Sequence, residues 1–153
     1  MGIFDSIIHR KKITKMKKWL RLLLVILWMI LIFYFSSESG IQSSETSGFL
    51  VQISHHFFPR VSLPIMTWII RKCAHMFLYL ILGILVMNLL KERKQSVLIS
   101  FLFSLFYACT DEIHQLFVIG RSGSIQDVLV DMVGVLIGII LINLLKKRDR
   151  KID

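Results

Sequence analysis

Four long apolar runs constrain the fold of this chain more than any other feature. They cover residues 19–35, 74–90, 96–109 and 128–145, and the third can continue as a helix through Gln115. About 20 helical residues cross the core of a bilayer, so each run suffices once flanking polar residues lie in the interface. Hydrophobic residues make up 55% of the chain, more than a soluble domain of this size can bury. The sequence therefore predicts an all-α, integral membrane fold, a four-helix transmembrane bundle.

The distribution of basic residues predicts the orientation of this bundle. Fifteen of the 19 lysines and arginines lie on one side of the membrane: seven before or just inside the first run, three in the turn 91–94 and five after the fourth run. The positive-inside rule then places both termini in the cytoplasm. We expect a basic cytoplasmic segment at 1–18, a membrane domain at 19–145 and a basic cytoplasmic tail at 146–153. Since the charges flank apolar runs, no nucleic-acid partner is expected.

The first apolar run has a second interpretation. A cleaved signal peptide is the alternative for 19–35, but the apolar stretch is too long and no Ala-x-Ala site follows.

The segment between the first and second spans divides into two parts. Residues 36–47 are rich in serine and are expected to form a loop. Residues 49–58 are apolar and aromatic, which predicts a short interfacial helix on the outer membrane surface. Pro59 and Pro64 are expected to break the chain before the second span.

The ionisable and polar residues converge on the outer ends of the spans. We call this predicted set the polar layer. Its members are Arg71, Lys72, His75 and Tyr79 of the second helix, Asp111, Glu112, His114 and Gln115 of the third, Arg121 of the loop, and Asp127 and Asp131 of the fourth. Helical spacing of three and four residues places them on shared faces. Ionisable groups inside a membrane are functional candidates by default, so the layer is the predicted ligand-binding site.

Three further expectations concern the polar layer. A buried Asp131 should face the bundle and pair with Arg71, Lys72 or His75, because a lipid-facing aspartate is costly. Glu112 and Arg121 should lie at the loop margins, where water reaches them and pairing contributes little. The alternative to a ligand site is a set of ion pairs that only closes the bundle.

The sequence also contains a glycine pair, an Asp-Glu-x-His sequence and two cysteines. Gly134 and Gly138 should let a neighbouring helix approach closely, although such pairs often arise by chance. The sequence Asp-Glu-x-His at 111–114 lacks the paired histidines of a metalloprotease motif, so no metal and no cofactor are predicted. Cys73 and Cys109 are expected to be buried and to behave as small hydrophobic residues.

Several of these segments together resemble one known family. They are Phe35-Ser36-Ser37, Arg71-Lys72-Cys73-Ala74-His75 with Tyr79, Asp111-Glu112-Ile113-His114-Gln115-Leu116-Phe117, and then Arg121, Asp127 and Gly134. In these the chain resembles the VanZ-like family of bacterial membrane proteins. It departs from the family at Asp131, where asparagine is frequent, and near Gly120, where proline is frequent. The resemblance implies a bacterial cell membrane location and a role in teicoplanin-type glycopeptide (antibiotic) resistance or in the cell envelope.

Three classes of function remain open from the sequence. The favoured class is a binding protein whose partners are the lipid bilayer and the head group of an envelope lipid or peptidoglycan precursor. The alternative is a membrane-embedded enzyme acting on a lipid-linked substrate, with the carboxylates and histidines as acid, base or ligands. A transporter is the weakest class, because it would need ionisable residues at mid-depth. Neither the ligand nor the oligomeric state follows from the sequence.

Overall fold

The computed structural model describes residues 2–91 and 93–149, with side chains described for 14–91 and 93–145, and in this part the regular secondary structure is helical. The helices are α1 (Gly2–Ser37), α2 (Gly40–Phe57), α3 (Leu63–Leu89), α4 (Ser96–Gln115) and α5 (Ile125–Asp149). Of the predicted basic termini, Met1 and residues 150–153 lie outside the described residues. So do the side chains of 2–13 and 146–149.

Four of the helices are long and apolar enough to cross a membrane, which confirms the predicted number of spans. The candidate spans are Thr14–Ser37, Leu63–Leu89, Ser96–Gln115 and Ile125–Leu145. Their outward surfaces carry large apolar side chains such as Phe77, which is 59% exposed, and Phe106, which is 70% exposed. A surface of this kind is stable against lipid and unfavourable in water.

Helix α3 begins earlier than its apolar run predicts. The run starts at residue 74, whereas the helix starts at Leu63 and has Pro64 in its first turn. Proline is tolerated there because the first helical N–H groups have no partner within the helix. The chain does break before this span, with Pro59 in the break between α2 and α3, but Pro64 belongs to the first turn of α3 and not to the break. The extra turns carry Arg71 and Lys72 as part of a continuous helix.

The packing of α5 against α3 depends on glycine. A Cβ atom at Gly134 or Gly138 would overlap the backbone carbonyl oxygen of Met76 or Leu80, and one at Gly83 would lie 2.7 Å from the carbonyl oxygen of Val135. Close backbone approach through small residues is the usual way in which helices associate in membranes. The predicted close approach at Gly134 and Gly138 is confirmed.

Helix α2 is longer than the predicted interfacial helix. It begins at Gly40 and includes most of the serine-rich segment that was expected to form a loop. Ser39 caps it: the Ser39 hydroxyl accepts from the Gln42 N–H at 3.3 Å, and the Gln42 side chain accepts from the Ser39 N–H at 3.1 Å. This reciprocal cap satisfies two donors that would otherwise lack partners, so the helix can start before its apolar part. Its placement at a membrane surface stays a prediction.

Candidate ligand-binding site

The end of the bundle away from both termini holds most of the polar layer, and we call it the distal end. The C-terminal ends of α1 and α4 and the N-terminal ends of α3 and α5 meet there. A cavity of about 570 Å³ opens between α3, α5, the end of α4, the loop that follows α4 and one residue of α2. Seven of the eleven predicted site residues line it, namely Arg71, Lys72, His75, Gln115, Arg121, Asp127 and Asp131.

One ion pair joins α3 to α5 in the cavity wall. The Lys72 ammonium binds the Asp127 carboxylate, and each side chain is 22% exposed. The indole of Trp68 lies beneath the same ammonium, with 5.5 Å from the Lys72 Nζ to the ring centroid. The pair satisfies both charges within the wall. An acid of the layer therefore pairs with Lys72, as expected, but the acid is Asp127.

Asp131 lies one helical turn deeper than Asp127 and lacks such a partner. Its side chain is 1% exposed, and neither carboxylate oxygen makes a hydrogen bond within the described residues. The nearest basic atom is the Nδ1 of His75, at 3.9 Å from the Asp131 Oδ1. Asp131 thus faces the bundle, as predicted, and of the three expected partners His75 is the adjacent one. A buried carboxylate without hydrogen bonds carries a large desolvation cost when charged.

Arg121 ties the loop between α4 and α5 to the end of α1. Its Nε donates to the carbonyl of Glu38 at 2.8 Å, its Nη2 to the carbonyl of Phe35 at 2.9 Å, and its Nη1 lies 3.5 Å from the Gln115 Oε1. Burial lowers the pKa of Arg121 below its usual value, and the nearby charge of Arg71 acts in the same direction. The last carbonyls of a helix lack partners within it, so the guanidinium satisfies an end of α1.

Glu112 holds the start of α5 in the same manner. It is 6% exposed, and its Oε2 accepts the backbone N–H of Ser124 at 2.8 Å. The expectation that water reaches these residues was wrong for Glu112, whereas Arg121 is partly exposed. The loop folds back over the bundle, with Gly120 at a φ of 74° and the Ile119 carbonyl accepting from the Gly40 N–H. This folding covers the side chains that a loop margin would otherwise expose.

Arg71 differs from the other cations of the cavity. It is partly buried in the wall, and no hydrogen bond or ion pair joins it to another residue in the part of the chain that the structure describes. A guanidinium presents five N–H donors in a planar fork. The cavity therefore contains a cationic group with its donors available.

The remaining predicted site residues lie outside the cavity lining. Asp111 and Tyr79 are buried at 3% and 0% exposure, behind the wall. The Tyr79 and Ser36 hydroxyls and the Asp111 Oδ1 are buried and make no hydrogen bond among the described residues. His114 turns towards α1, where its Nε2 lies 3.1 Å from the Ser37 hydroxyl and its ring packs on Phe33. These residues support the helix ends and do not face the cavity.

Some polar residues of the distal end were absent from the predicted site. Ser36 is fully buried, and Ser44, Thr67 and Trp68 line the cavity. In α4 the sequence did contain a signal for the buried face. Ser96, Ser100 and Ser104 recur every four residues and share a face with Ala108 and Asp111, and all five residues are buried. Read at that spacing, the small side chains mark the face of α4 that packs inside the bundle.

The described residues hold no group of three His, Cys, Asp or Glu side chains arranged to bind a metal ion. The acids of the distal end are instead directed to different partners: Asp127 to Lys72, Glu112 to the loop, and Asp131 towards the cavity. Carboxylate, guanidinium and amide groups therefore line the cavity separately, which suits recognition of an organic ligand.

These features define a multi-pass membrane protein with a charged cavity at one end of a helical bundle. The sequence profile of the VanZ/LLP1 family matches residues 21–146. This range includes the first span from residue 21 onward and the other three spans completely. The chain belongs to the VanZ/LLP1 family, and the resemblance seen in the motifs is confirmed. Comparisons with curated proteins and with solved structures gave no match.

Proposed function

We propose that the protein binds the polar head group of a cell-envelope lipid, or of a lipid-linked peptidoglycan precursor, in the distal cavity. The observation that carries this proposal is the unpaired Arg71 in the wall of a cavity of about 570 Å³. Small-molecule sites have volumes of about 300–1,000 Å³ and a few convergent polar groups. Binding of such a lipid would in turn alter susceptibility to teicoplanin-type glycopeptides.

The charges of the wall favour an anionic group on the ligand. Three cations and two carboxylates line the cavity, and one cation is already paired, Lys72 with Asp127. Arg121 binds neutral carbonyls, so its positive charge is not cancelled. Arg71 adds a second positive charge with its donors unused. A guanidinium binds phosphate through two parallel N–H···O bonds, so a phosphate-bearing head group fits best.

The orientation of the cavity is part of the same proposal. We place both termini in the cytoplasm of a bacterial cell, with the basic segments 1–18 and 146–153 flanking the membrane domain 19–145 and α2 lying along the outer surface. Cysteines introduced at Glu45 and Ile119, in a background without Cys73 and Cys109, should react with an impermeant maleimide from outside. A cysteine at Lys94 should not. Labelling at Lys94 alone would reverse the orientation.

Arg71→Gln tests the binding itself. Purified protein in nanodiscs should bind a short-chain phosphatidylglycerol at least about tenfold more weakly after this change, since a charge-assisted hydrogen bond contributes ~1.5–3 kcal/mol. Arg93→Gln, at the opposite end of the bundle, is the control because Arg93 is exposed and far from the cavity. Binding that is identical in Arg71→Gln and the parent protein would refute the proposal.

The phenotype requires a separate measurement. The same two variants should be expressed in the native host and scored for teicoplanin susceptibility and for protein abundance together. We expect Arg71→Gln to lose any effect on susceptibility at normal abundance. A phenotype that persists in this variant would separate glycopeptide susceptibility from the cavity.

A membrane-embedded enzyme is the second candidate, and one observation favours it. Asp111, Glu112 and Asp131 bring three carboxylates to one end of the bundle, and His75 lies beside Asp131. Positioned carboxylates and imidazoles are the usual general acids and bases. Lipid extracts from cells with and without the protein should show a converted lipid, lost in Asp131→Asn, if the protein is an enzyme. Unchanged lipid profiles favour binding.

A further inference from the structure

We infer that the head group bound in the distal cavity carries a primary amine as well as a phosphate, as a phosphoethanolamine group does. This inference rests on the proposed binding function and names its ligand class. The phosphate would bind Arg71, and the ammonium would bind Asp131.

Asp131 supplies the argument for the amine. It lines the cavity, is 1% exposed, and both of its oxygens lack hydrogen-bond donors among the described residues. Buried polar atoms in folded proteins nearly always have a partner, so each exception requires an explanation. Ser36, Tyr79, Ser104 and Asp111 also have such atoms, but of these residues only Asp131 lines the cavity. An ammonium brings three N–H donors and the opposite charge, which is the complement of an unpartnered carboxylate.

Asp131 and Arg71 are the two ionisable groups of the wall that make no hydrogen bond or close ion pair among the described residues. Lys72 and Asp127 satisfy each other, and Arg121 is held by backbone carbonyls. Arg71 lies one helical turn, about 6 Å, from His75 along α3. His75 lies 3.9 Å from Asp131. Arg71, His75 and Asp131 line one cavity, so a single ligand that carries an acceptor for Arg71 and a donor for Asp131 on a short spacer fits there.

Other occupants fit the same two groups less well. A trimethylammonium, as in a choline head group, has no N–H to give to the Asp131 oxygens. A divalent cation would need several converging ligands, and the described residues offer no group of three His, Cys, Asp or Glu. A purely anionic head group would satisfy Arg71 and leave Asp131 buried without a donor.

The test uses the full chain in detergent micelles and isothermal titration with dihexanoyl lipids. Phosphatidylethanolamine should bind at least about tenfold more tightly than phosphatidylglycerol, and phosphatidylcholine should resemble phosphatidylglycerol. Asp131→Asn keeps the side-chain shape and should abolish that preference, with phosphatidylglycerol binding unchanged or tighter. Arg71→Gln should weaken both lipids. Glu45→Gln, a matched loss of one carboxylate charge on the exposed side of α2, should change neither.

Two further measurements distinguish a membrane lipid from a free aminophosphate as the ligand and check that each variant is folded. Soluble O-phosphoethanolamine that binds with the same dependence on Arg71 and Asp131 supports the inference and assigns a free aminophosphate. Binding of the lipid alone supports it and assigns a membrane ligand. Circular dichroism must show that each variant is folded. Because asparagine removes a buried charge without changing the volume, Asp131→Asn should fold.

The outcomes also separate the two proposals. Equal binding of the ethanolamine and glycerol lipids, both lost in Arg71→Gln, overturns the amine and keeps the proposed function. A preference for ethanolamine that survives Asp131→Asn overturns the assignment of the ammonium. Binding of Mg²⁺ that requires Asp131 overturns it as well. No Arg71-dependent binding of any of these lipids overturns both proposals.

Discussion

Substitution by alanine should destabilise the protein at Arg121 and leave its stability nearly unchanged at Arg71, although both arginines line the same cavity. Arg121→Ala removes a guanidinium that donates to two backbone carbonyls, at 2.8 Å to Glu38 and 2.9 Å to Phe35. Hydrogen bonds to a charged group contribute ~1.5–3 kcal/mol each, and the partial exposure of Arg121 reduces this value. We expect the free energy of unfolding to fall by about 2–4 kcal/mol. Arg71→Ala removes no bond within the described part of the chain, so we expect a change within about 0.5 kcal/mol.

The assay is unfolding by sodium dodecyl sulfate in mixed micelles, followed by circular dichroism. Arg121→Lys serves as the control for charge, since an ammonium keeps the positive charge but cannot bridge both carbonyls in the fork of a guanidinium. It should recover less than half of the loss. Equal stability of the Arg121→Ala and Arg71→Ala proteins would refute the structural role of Arg121. A large loss in Arg71→Ala alone would show that Arg71 has a structural partner.

Three further predictions concern the packing of the bundle. Lys72→Met and Asp127→Asn should show a coupling free energy of about 1–3 kcal/mol in a double-mutant cycle, because the pair is mostly buried. Gly138→Ala should destabilise by at least about 2 kcal/mol through overlap with the α3 backbone, whereas Gly48→Ala, with open space around its Cβ position, should be neutral or stabilising by about 0.5–1 kcal/mol. Tyr107→Phe should cost about 1 kcal/mol, since its hydroxyl donates to an α1 carbonyl at 2.6 Å. The same unfolding assay measures all three, and an unchanged Gly138→Ala protein would contradict the close contact.

The spans and the members of the site were predictable because each depends on local sequence. Apolar runs define spans by length and composition, and α4 occupies the predicted range from Ser96 to Gln115. Alternating direction of the helices then brings Arg71 and Asp127 to the same end of the bundle. The positions of the spans and the direction of the helices therefore predict at which end of the bundle a residue lies, but not which side chains it contacts.

The individual partners were not predictable because they depend on how the loops fold. Glu112 and Arg121 were expected in water, but Glu112 is buried and Arg121 is partly buried, because the α4–α5 loop turns back over the end of α1. Likewise, helical spacing places Asp127 and Asp131 on one face with equal claims to Lys72. In the structure the Lys72 ammonium binds Asp127, which lies one helical turn nearer the start of α5 than Asp131. His114 was placed with the layer by spacing alone, although its ring packs on Phe33.

The alternative that the polar layer only closes the bundle accounts for part of the distal end. The Lys72–Asp127 pair, the Arg121 contacts and the Glu112 cap all join helix ends and would serve a purely structural layer. Arg71 and Asp131 do not fit this explanation. They carry opposite charges and line the same cavity, yet they do not pair, although a structural layer would be more stable if they did. A wall that pairs Lys72 with Asp127, directs the Arg121 donors to backbone carbonyls and holds these two groups apart is arranged to receive a group between them.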